Sequence, residues 1–219
     1  MSTTALEPIA HHGSVVEHEE HHGGLIPIAP ERQLQFNRLG MWLFIISETF
    51  LFAGILIMRI VLGRDTEGFV RPELSQGLGL LITSILLASS FFVNRGEVAI
   101  KHNDRFNFNL SIFLALVLGL VFVVGVAYEW NEVHKDFGPA TGPVINGMFY
   151  FMTGIHALHV ITGIIFLLVV FLNGIRGKYS AKSHWGVESA ALYWHFVDVV
   201  WVFFYVALYL IGTVAEPMK

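Results

Sequence analysis

Five long apolar runs constrain the fold of this chain more than any other feature. They cover about residues 39–58, 77–93, 108–128, 144–172 and 190–211. A helix needs about 20 apolar residues to cross about 30 Å of hydrocarbon, and each run approaches or exceeds that length. The runs are too long, and alternate too weakly, to be barrel strands. The pattern predicts an all-α integral membrane protein, a bundle of five transmembrane helices within residues 31–219.

The composition agrees with a membrane chain and excludes several classes of protein. Hydrophobic residues make up 54% of the sequence and charged residues 14%, whereas a soluble domain carries about 25% charged residues. The chain has no cysteine, which excludes disulfides, iron–sulfur clusters and thiolate metal sites. The net charge is −4 and no basic block occurs, so nucleic acid is not an expected partner.

The first 30 residues differ from the rest of the chain. They are polar, contain prolines and glycines, and carry the pairs His11–His12 and His21–His22. Because nothing in residues 1–30 could bury a core, we predict a disordered, His-rich N-terminal tail. Imidazole clusters can bind a metal, and that role of the tail stays open.

The distribution of basic residues between the short loops predicts the orientation in the membrane. If the N-terminus is cytoplasmic, eight basic residues fall inside: Arg32, Arg38, Arg95, Lys101, Arg105, Arg176, Lys178 and Lys182. Five then fall outside: Arg59, Arg64, Arg71, Lys135 and Lys219. Cytoplasmic loops carry an excess of Lys and Arg. We therefore predict a multi-pass protein with its N-terminus in the cytoplasm and its C-terminus outside.

Ionisable side chains within the apolar runs are the candidate site. Only two carboxylates lie deep in a run, Glu48 and Asp198, and each costs about 2.5–3.5 kcal/mol or more if ionised at mid-membrane. His195 precedes Asp198 by three positions, so the two share a helix face and could hydrogen-bond. His156 and His159 lie near the middle of the fourth run, again three apart. These five residues can form one polar layer at mid-membrane.

Three interpretations of this polar layer stay open. The layer can fix helix register and subunit docking, serve a proton- or lipid-related function, or hold a metal or haem. Two histidines at i, i+3 can ligate, but a closed metal site needs three or four ligands, so we expect no cofactor and no metal in this chain. Glu129 lies at the outer edge of the third run. The free-energy cost of an ionised carboxylate is lower there because headgroups and water are near.

The connection between the fourth and fifth runs is basic and lies at the membrane surface. Its candidate lipid-headgroup residues are Arg176, Lys178, Lys182 and His184. Basic cytoplasmic segments attract anionic headgroups by about 1 kcal/mol per charge. Ordinary positive-inside bias explains the same residues equally well, so both interpretations stay open.

Four motifs, in order along the chain, resemble one known family. They are Phe44-Ile-Ile-Ser-Glu48, Tyr128-Glu129, Gly154-Ile-His-Ala-Leu-His159 through Gly163, and Tyr193-Trp-His-Phe-Val-Asp198-Val-Val-Trp201. Together with the second run they cover about residues 36–213 and resemble subunit III of the haem–copper oxidases, in a short five-helix bacterial form. One departure is Ser90, which stands where the family often has glycine.

This resemblance implies a function for the chain as part of a complex. It implies a non-redox accessory subunit of a proton-pumping terminal oxidase that reduces O2 to water, in the bacterial cytoplasmic (inner) membrane. Haems and copper would lie in partner subunits, with subunit I in direct contact and subunit II and other respiratory subunits nearby. Proton uptake through Glu48, bound phospholipid and stability in turnover are the implied roles. The alternatives are the equivalent subunit of a quinol oxidase or nitric oxide reductase, or a small proton-coupled transporter.

Overall fold

Five long helices make up the described part of the chain. A computed structural model describes residues 29–64, 70–71, 74–136, 142–211 and 213–214. Its helices are α1 (Pro30–Arg64), α2 (Gln76–Lys101), α3 (Arg105–Asp136), α4 (Gly142–Ile175) and α5 (Trp185–Tyr205). All five contain spans long and apolar enough to cross a membrane. The predicted all-α, five-helix membrane fold is therefore confirmed.

Two short elements follow α5, and one of them pairs with a short strand between α1 and α2. The chain continues from α5 as a π-helical turn, Val206–Leu210. A two-residue strand β1 (Val70–Arg71) pairs in parallel with β2 (Thr213–Val214). This pairing links the connection between α1 and α2 to the segment after α5. The predicted tail, residues 1–30, lies outside the described residues except for its last two, and Pro30 begins α1.

The helices extend past the apolar runs that predicted them. The second run ends at residue 93, whereas α2 continues to Lys101. An ion pair of 2.6 Å between Lys101 Nζ and Glu97 Oε1 spans one turn of this extension, and i, i+4 pairs of this kind support exposed helix. Hydropathy marks the length in hydrocarbon, while the backbone hydrogen bonds continue into the polar boundary.

The connection between α2 and α3 is tight and capped. Asn103 adopts a left-handed conformation with φ of 58°, which asparagine tolerates better than most residues. The Asn107 amide donates to the Asp104 side chain over 3.1 Å, so Asp104 caps the start of α3. Hydrogen bonds from the Asn107 side chain and backbone lower the pKa of Asp104.

Helix α5 lies at the centre of the bundle and packs against α1, α2 and α4. Its Trp194 is 1% exposed and passes between two glycines on neighbouring helices. A Cβ added at Gly119 of α3, or at Gly163 of α4, would lie 2.8 Å from the Trp194 ring. Small residues allow this close approach, which matters in lipid because no hydrophobic force drives helices together.

Candidate functional site

Glu48 on α1 and His159 on α4 form a polar pair between helices. His159 Nε2 lies 3.1 Å from Glu48 Oε2, and the two side chains are 16% and 19% exposed. His159 Nδ1 lies 2.8 Å from the Ile155 carbonyl oxygen. A carbonyl only accepts, so Nδ1 carries a hydrogen and the Nε2–Glu48 contact needs one more proton. The pair therefore shares one proton and is neutral overall, as neutral acid and imidazole or as an ion pair.

His195 and Asp198 on α5 face α2, and the predicted bond between them does not form. His195 Nδ1 lies instead 2.8 Å from Ser90 Oγ on α2. Asp198 is 4% exposed; its carboxylate makes no hydrogen bond of regular geometry within the described residues, but the Ser90 hydroxyl lies close enough to interact with it. Both side chains therefore lie near Ser90 of α2, and they do not bond to each other directly.

Aromatic side chains surround His156 and separate it from the other histidines. It is fully buried, and its Nε2 lies 3.1 Å from the Val197 carbonyl oxygen of α5. Its ring centroid is 4.7 Å from that of Trp201 and 5.9 Å from that of Phe122. Nδ1 has no partner among the described residues. The carbonyl contact places a hydrogen on Nε2, and a second hydrogen on the buried Nδ1 would have no acceptor, so the neutral imidazole fits this site and joins α4 to α5.

Four of the five residues in the predicted polar layer make three contacts between helices, and the fifth, Asp198, is buried near Ser90. Glu48 and His159 join α1 to α4, His195 with Ser90 joins α2 to α5, and His156 joins α4 to α5. A polar group in hydrocarbon is retained when a neighbouring helix satisfies it. This arrangement favours the interpretation in which these residues fix helix register.

The environment of Glu129 differs from the predicted one, which was an edge position near headgroups and water. It is 2% exposed, and the Tyr209 hydroxyl donates to its carboxylate. Tyr209 comes from the π-helical turn, packs over Gly79 of α2, and stacks on Tyr205 at 5.0 Å between ring centroids. The extra residue of a π turn re-aims the side chains after it. A tyrosine, rather than a headgroup or water, therefore meets this carboxylate.

The four predicted headgroup residues do not form one cluster. Lys182 and His184 line a surface pocket of about 430 Å³ together with Arg38 and Glu188, and His184 Nε2 lies 3.1 Å from Glu188 Oε1. Arg176 and Lys178 are exposed and do not line that pocket.

No group of three or more His, Cys, Asp or Glu side chains that could hold a metal ion occurs within the residues that the structure describes. The described histidines and carboxylates of the bundle interior are divided between different pairs of helices. Their separate contacts can hold protons and fix helices, but they do not converge on one point.

Sequence reasoning missed the partners of these groups. Ser90, Tyr209, Arg38 and Glu188 were not predicted as site residues, although each meets a predicted one. The sequence did offer a signal for Ser90, since it is a hydroxyl residue within a transmembrane run and was noted above as a departure from the family pattern. Nothing in the sequence distinguishes Tyr209 from Tyr205.

The fold and these contacts define a class of protein, a multi-pass helical bundle whose interior polar groups are shared between helices. Comparison with known proteins identifies the family within this class. The chain belongs to the cytochrome c oxidase subunit III family, whose model matches residues 24–213. This confirms the predicted family and, with it, the prediction of an oxidase-complex subunit.

Relatives from distant organisms cover most of the chain. Cytochrome c oxidase subunit 3 of Synechocystis sp. is 37% identical over 178 residues, which span 78% of this chain and 74% of the relative. The protein of the same name from Thermostichus vulcanus is 36% identical and is covered over 88% of its length. That of Rattus norvegicus is 37% identical over 80% of this chain and 70% of its own.

Proposed function

We propose that this chain is the non-redox subunit III of a proton-pumping terminal oxidase that reduces O2 to water in the bacterial cytoplasmic membrane. The observation that carries this proposal is the family match over residues 24–213. The dispersal of interior histidines and carboxylates over separate helix contacts supports a chain without its own redox centre. In this proposal the haems and copper lie in partner subunits, with subunit I in direct contact and subunit II nearby.

The Glu48–His159 pair is the proposed proton-related site. It lies near mid-membrane, is partly exposed at the surface of the bundle, and needs one shared proton to form its hydrogen bond. The pair is neutral while it holds that proton, and releasing it leaves one negative charge, on a carboxylate that is 19% exposed at the surface of the bundle rather than sealed in its interior. We propose that it supports proton uptake and endurance of the oxidase, while the contacts of His156 and of Ser90 with His195 hold the helices.

Bound phospholipid is part of the same proposal. Lys182 and His184 open to the surface beside Arg38, where a headgroup phosphate can reach basic donors. Arg176 and Lys178 contribute charge to the same end of the bundle without lining the pocket. The transporter alternative is not favoured, because the family match covers nearly all of the described helices.

Affinity purification of the tagged chain from its native membrane tests the assignment. The expected result is co-purification of polypeptides carrying haem and copper, seen as haem absorption and as copper in metal analysis. Recovery of this chain alone, without haem, would refute the oxidase proposal. Oxygen consumption of the purified complex with reduced cytochrome c, compared with a quinol, then identifies the electron donor.

A further inference from the structure

Asp198 is the residue of the polar layer to which the proposed function assigns no role. It is 4% exposed, and its carboxylate makes no hydrogen bond of regular geometry within the described residues. An ionised carboxylate in such a place is costly, so the neutral, protonated acid fits this site. A buried acid either keeps its proton permanently or exchanges it along a path of polar groups.

Ser90 of α2 lies between Asp198 and His195. Its Oγ is 2.8 Å from His195 Nδ1, and it lies close enough to Asp198 to interact with it. A hydroxyl donates one hydrogen bond and can accept two. Ser90 can therefore accept from the protonated Asp198 while it donates to His195, once the carboxyl rotates into regular geometry.

His195 connects these groups to a polar pocket at the surface of the bundle. The pocket has a volume of about 410 Å³, and its lining includes Arg38, Glu97, Lys101, Glu188 and His195. The side chains of Arg38 and Lys101 are 54% and 46% exposed, so the pocket opens to the surroundings at that end. Because a cavity needs only about 10–15 Å³ to hold one water, several waters can lie beside His195.

The spacing of the polar residues follows the contact between α2 and α5. Ser90 and Glu97 are seven positions apart on α2, and Glu188 and His195 are seven apart on α5, so each pair lies on nearly one helix face. Asp198 lies ten positions beyond Glu188, which is about 15 Å along the helix. Since the hydrocarbon is about 30 Å thick, these groups lead from the surface to about mid-membrane.

We infer that Asp198 is a second proton-binding site, which exchanges its proton with water in the polar pocket through Ser90 and His195. In release, Asp198 passes its proton to Ser90 Oγ while the Ser90 hydroxyl passes its own proton to His195 Nδ1. The doubly protonated imidazole then releases the Nε2 hydrogen to water. Asp198 is left ionised and accepts from Ser90, and His195 Nδ1 donates to Ser90 Oγ. Uptake is the reverse of these steps.

Other titratable groups on the helices packed against α5 have different contacts. His156 of α4 bonds the Val197 carbonyl, and Glu97 of α2 lies near enough to His195 to act on it electrostatically. A carboxylate there offsets part of the free-energy cost of the charged imidazole during transfer. The remaining groups pair with one another: Glu48 with His159, Arg38 with Glu188, and Lys101 with Glu97.

The inference goes beyond the proposed function, in which the contact between Ser90 and His195 only holds α2 against α5. It also does not depend on the oxidase assignment. Its test needs no partner subunit, so its result is independent of whether haem and copper co-purify with the chain.

Infrared spectroscopy of the full chain in nanodiscs tests the exchange. A protonated carboxyl has a C=O band that shifts on deuteration, and the component lost in Asp198→Asn belongs to Asp198. After transfer to D2O, this component should shift on the order of a hundredfold more slowly in Ser90→Ala than in the parent. Equal rates in Ser90→Ala and the parent would overturn the inference. Absence of the component at both acid and neutral pH would also overturn it, because Asp198 would then hold no proton.

Further variants separate the path from a general effect of mutation. Ser90→Thr keeps the hydroxyl and should exchange at the parent rate, whereas His195→Gln cannot relay a proton and should slow exchange as Ser90→Ala does. The matched controls are Ser84→Ala and His102→Gln, which change exposed groups of the same helix and should leave the rate unchanged. Equal slowing in the controls would contradict the path. A loosened fold would speed exchange, so the expected slowing cannot come from unfolding.

Discussion

Trp194 shows how strongly single residues constrain this bundle. Its ring lies between Gly119 and Gly163, and a Cβ at Gly163 would come within 2.8 Å of it. Since overpacking a filled core costs about 1–3 kcal/mol, Gly163→Ala should destabilise the bundle by about that amount, measured as lost resistance to denaturant in detergent. Gly147→Ala on the same helix meets nothing within 4 Å and should be neutral. Equal losses in both variants would show that the ring contact is not what matters.

The Glu48–His159 pair leads to a prediction about turnover. Glu48→Gln can still donate a hydrogen bond to His159 Nε2, so the helices should assemble normally, but it cannot exchange a proton. Oxidase carrying this variant should inactivate roughly twofold sooner during sustained turnover, followed as oxygen consumption over time. The control is Glu31→Gln at the exposed start of α1. An inactivation time equal to that of the parent would reduce Glu48 to a packing residue.

At the residue scale, the free-energy cost of burying charge made the candidate residues predictable. The groups that contact these residues were not predictable. Glu48 and Asp198 stand out in sequence because ionised carboxylates in hydrocarbon are expensive. Which group meets each of them depends on the rotation of a neighbouring helix, and a shift of one residue turns a helix by about 100°. The shared helix face of His195 and Asp198 therefore did not reveal that His195 contacts Ser90.

At the scale of elements, hydroxyl residues on α2 hold α5 in register. Trp194 Nε1 donates to Ser89 Oγ, and Trp201 Nε1 donates to Thr83 Oγ1, each over 3.0 Å. Ser89 and Thr83 lie six positions apart and the two tryptophans seven, so both bonds form only when the helices are aligned along their length. This repeated bond fixes the relative height of the two helices.

Removing one of these acceptors should be costly. Ser89→Ala leaves the buried Trp194 indole N–H without a partner, and an unsatisfied buried donor costs about 1–3 kcal/mol. Ser84→Ala removes an exposed hydroxyl that bonds only its own helix, and it should change stability little. Thermal unfolding of the two variants in the same detergent measures the difference. A Ser84→Ala loss as large as that of Ser89→Ala would contradict the role assigned to the indole bond.

The helices themselves were the most predictable elements, and their ends the least. Each apolar run identified one helix because hydrocarbon admits no unsatisfied backbone. The ends depend instead on local bonds such as the Asp104 cap and the Lys101–Glu97 pair. A hydropathy profile does not detect these bonds. The π-helical turn that aims Tyr209 at Glu129 also has no signature in the sequence, because only the packing of the last helix creates it.

At the scale of the whole molecule, three segments meet at one end of the bundle. Ala181 N donates to Asn103 Oδ1 over 2.9 Å, which joins the α2–α3 and α4–α5 connections. The Arg38–Glu188 ion pair brings the N-terminal part of α1 to the same end. This end therefore carries the eight basic residues counted as inside, and from the positive-inside rule we expect it to face the cytoplasm.

The absence of cysteine from the sequence makes this orientation directly testable. Lys178→Cys and Asn131→Cys each add one exposed thiol, at opposite ends of the bundle. In intact spheroplasts, a membrane-impermeant maleimide should label Asn131→Cys and spare Lys178→Cys, because the positive-inside rule predicts that the basic end faces the cytoplasm. Lysed membranes provide the control, since both thiols should then react. Labelling of Lys178→Cys but not Asn131→Cys in intact cells would invert the topology, and the headgroup pocket would then face the outer leaflet.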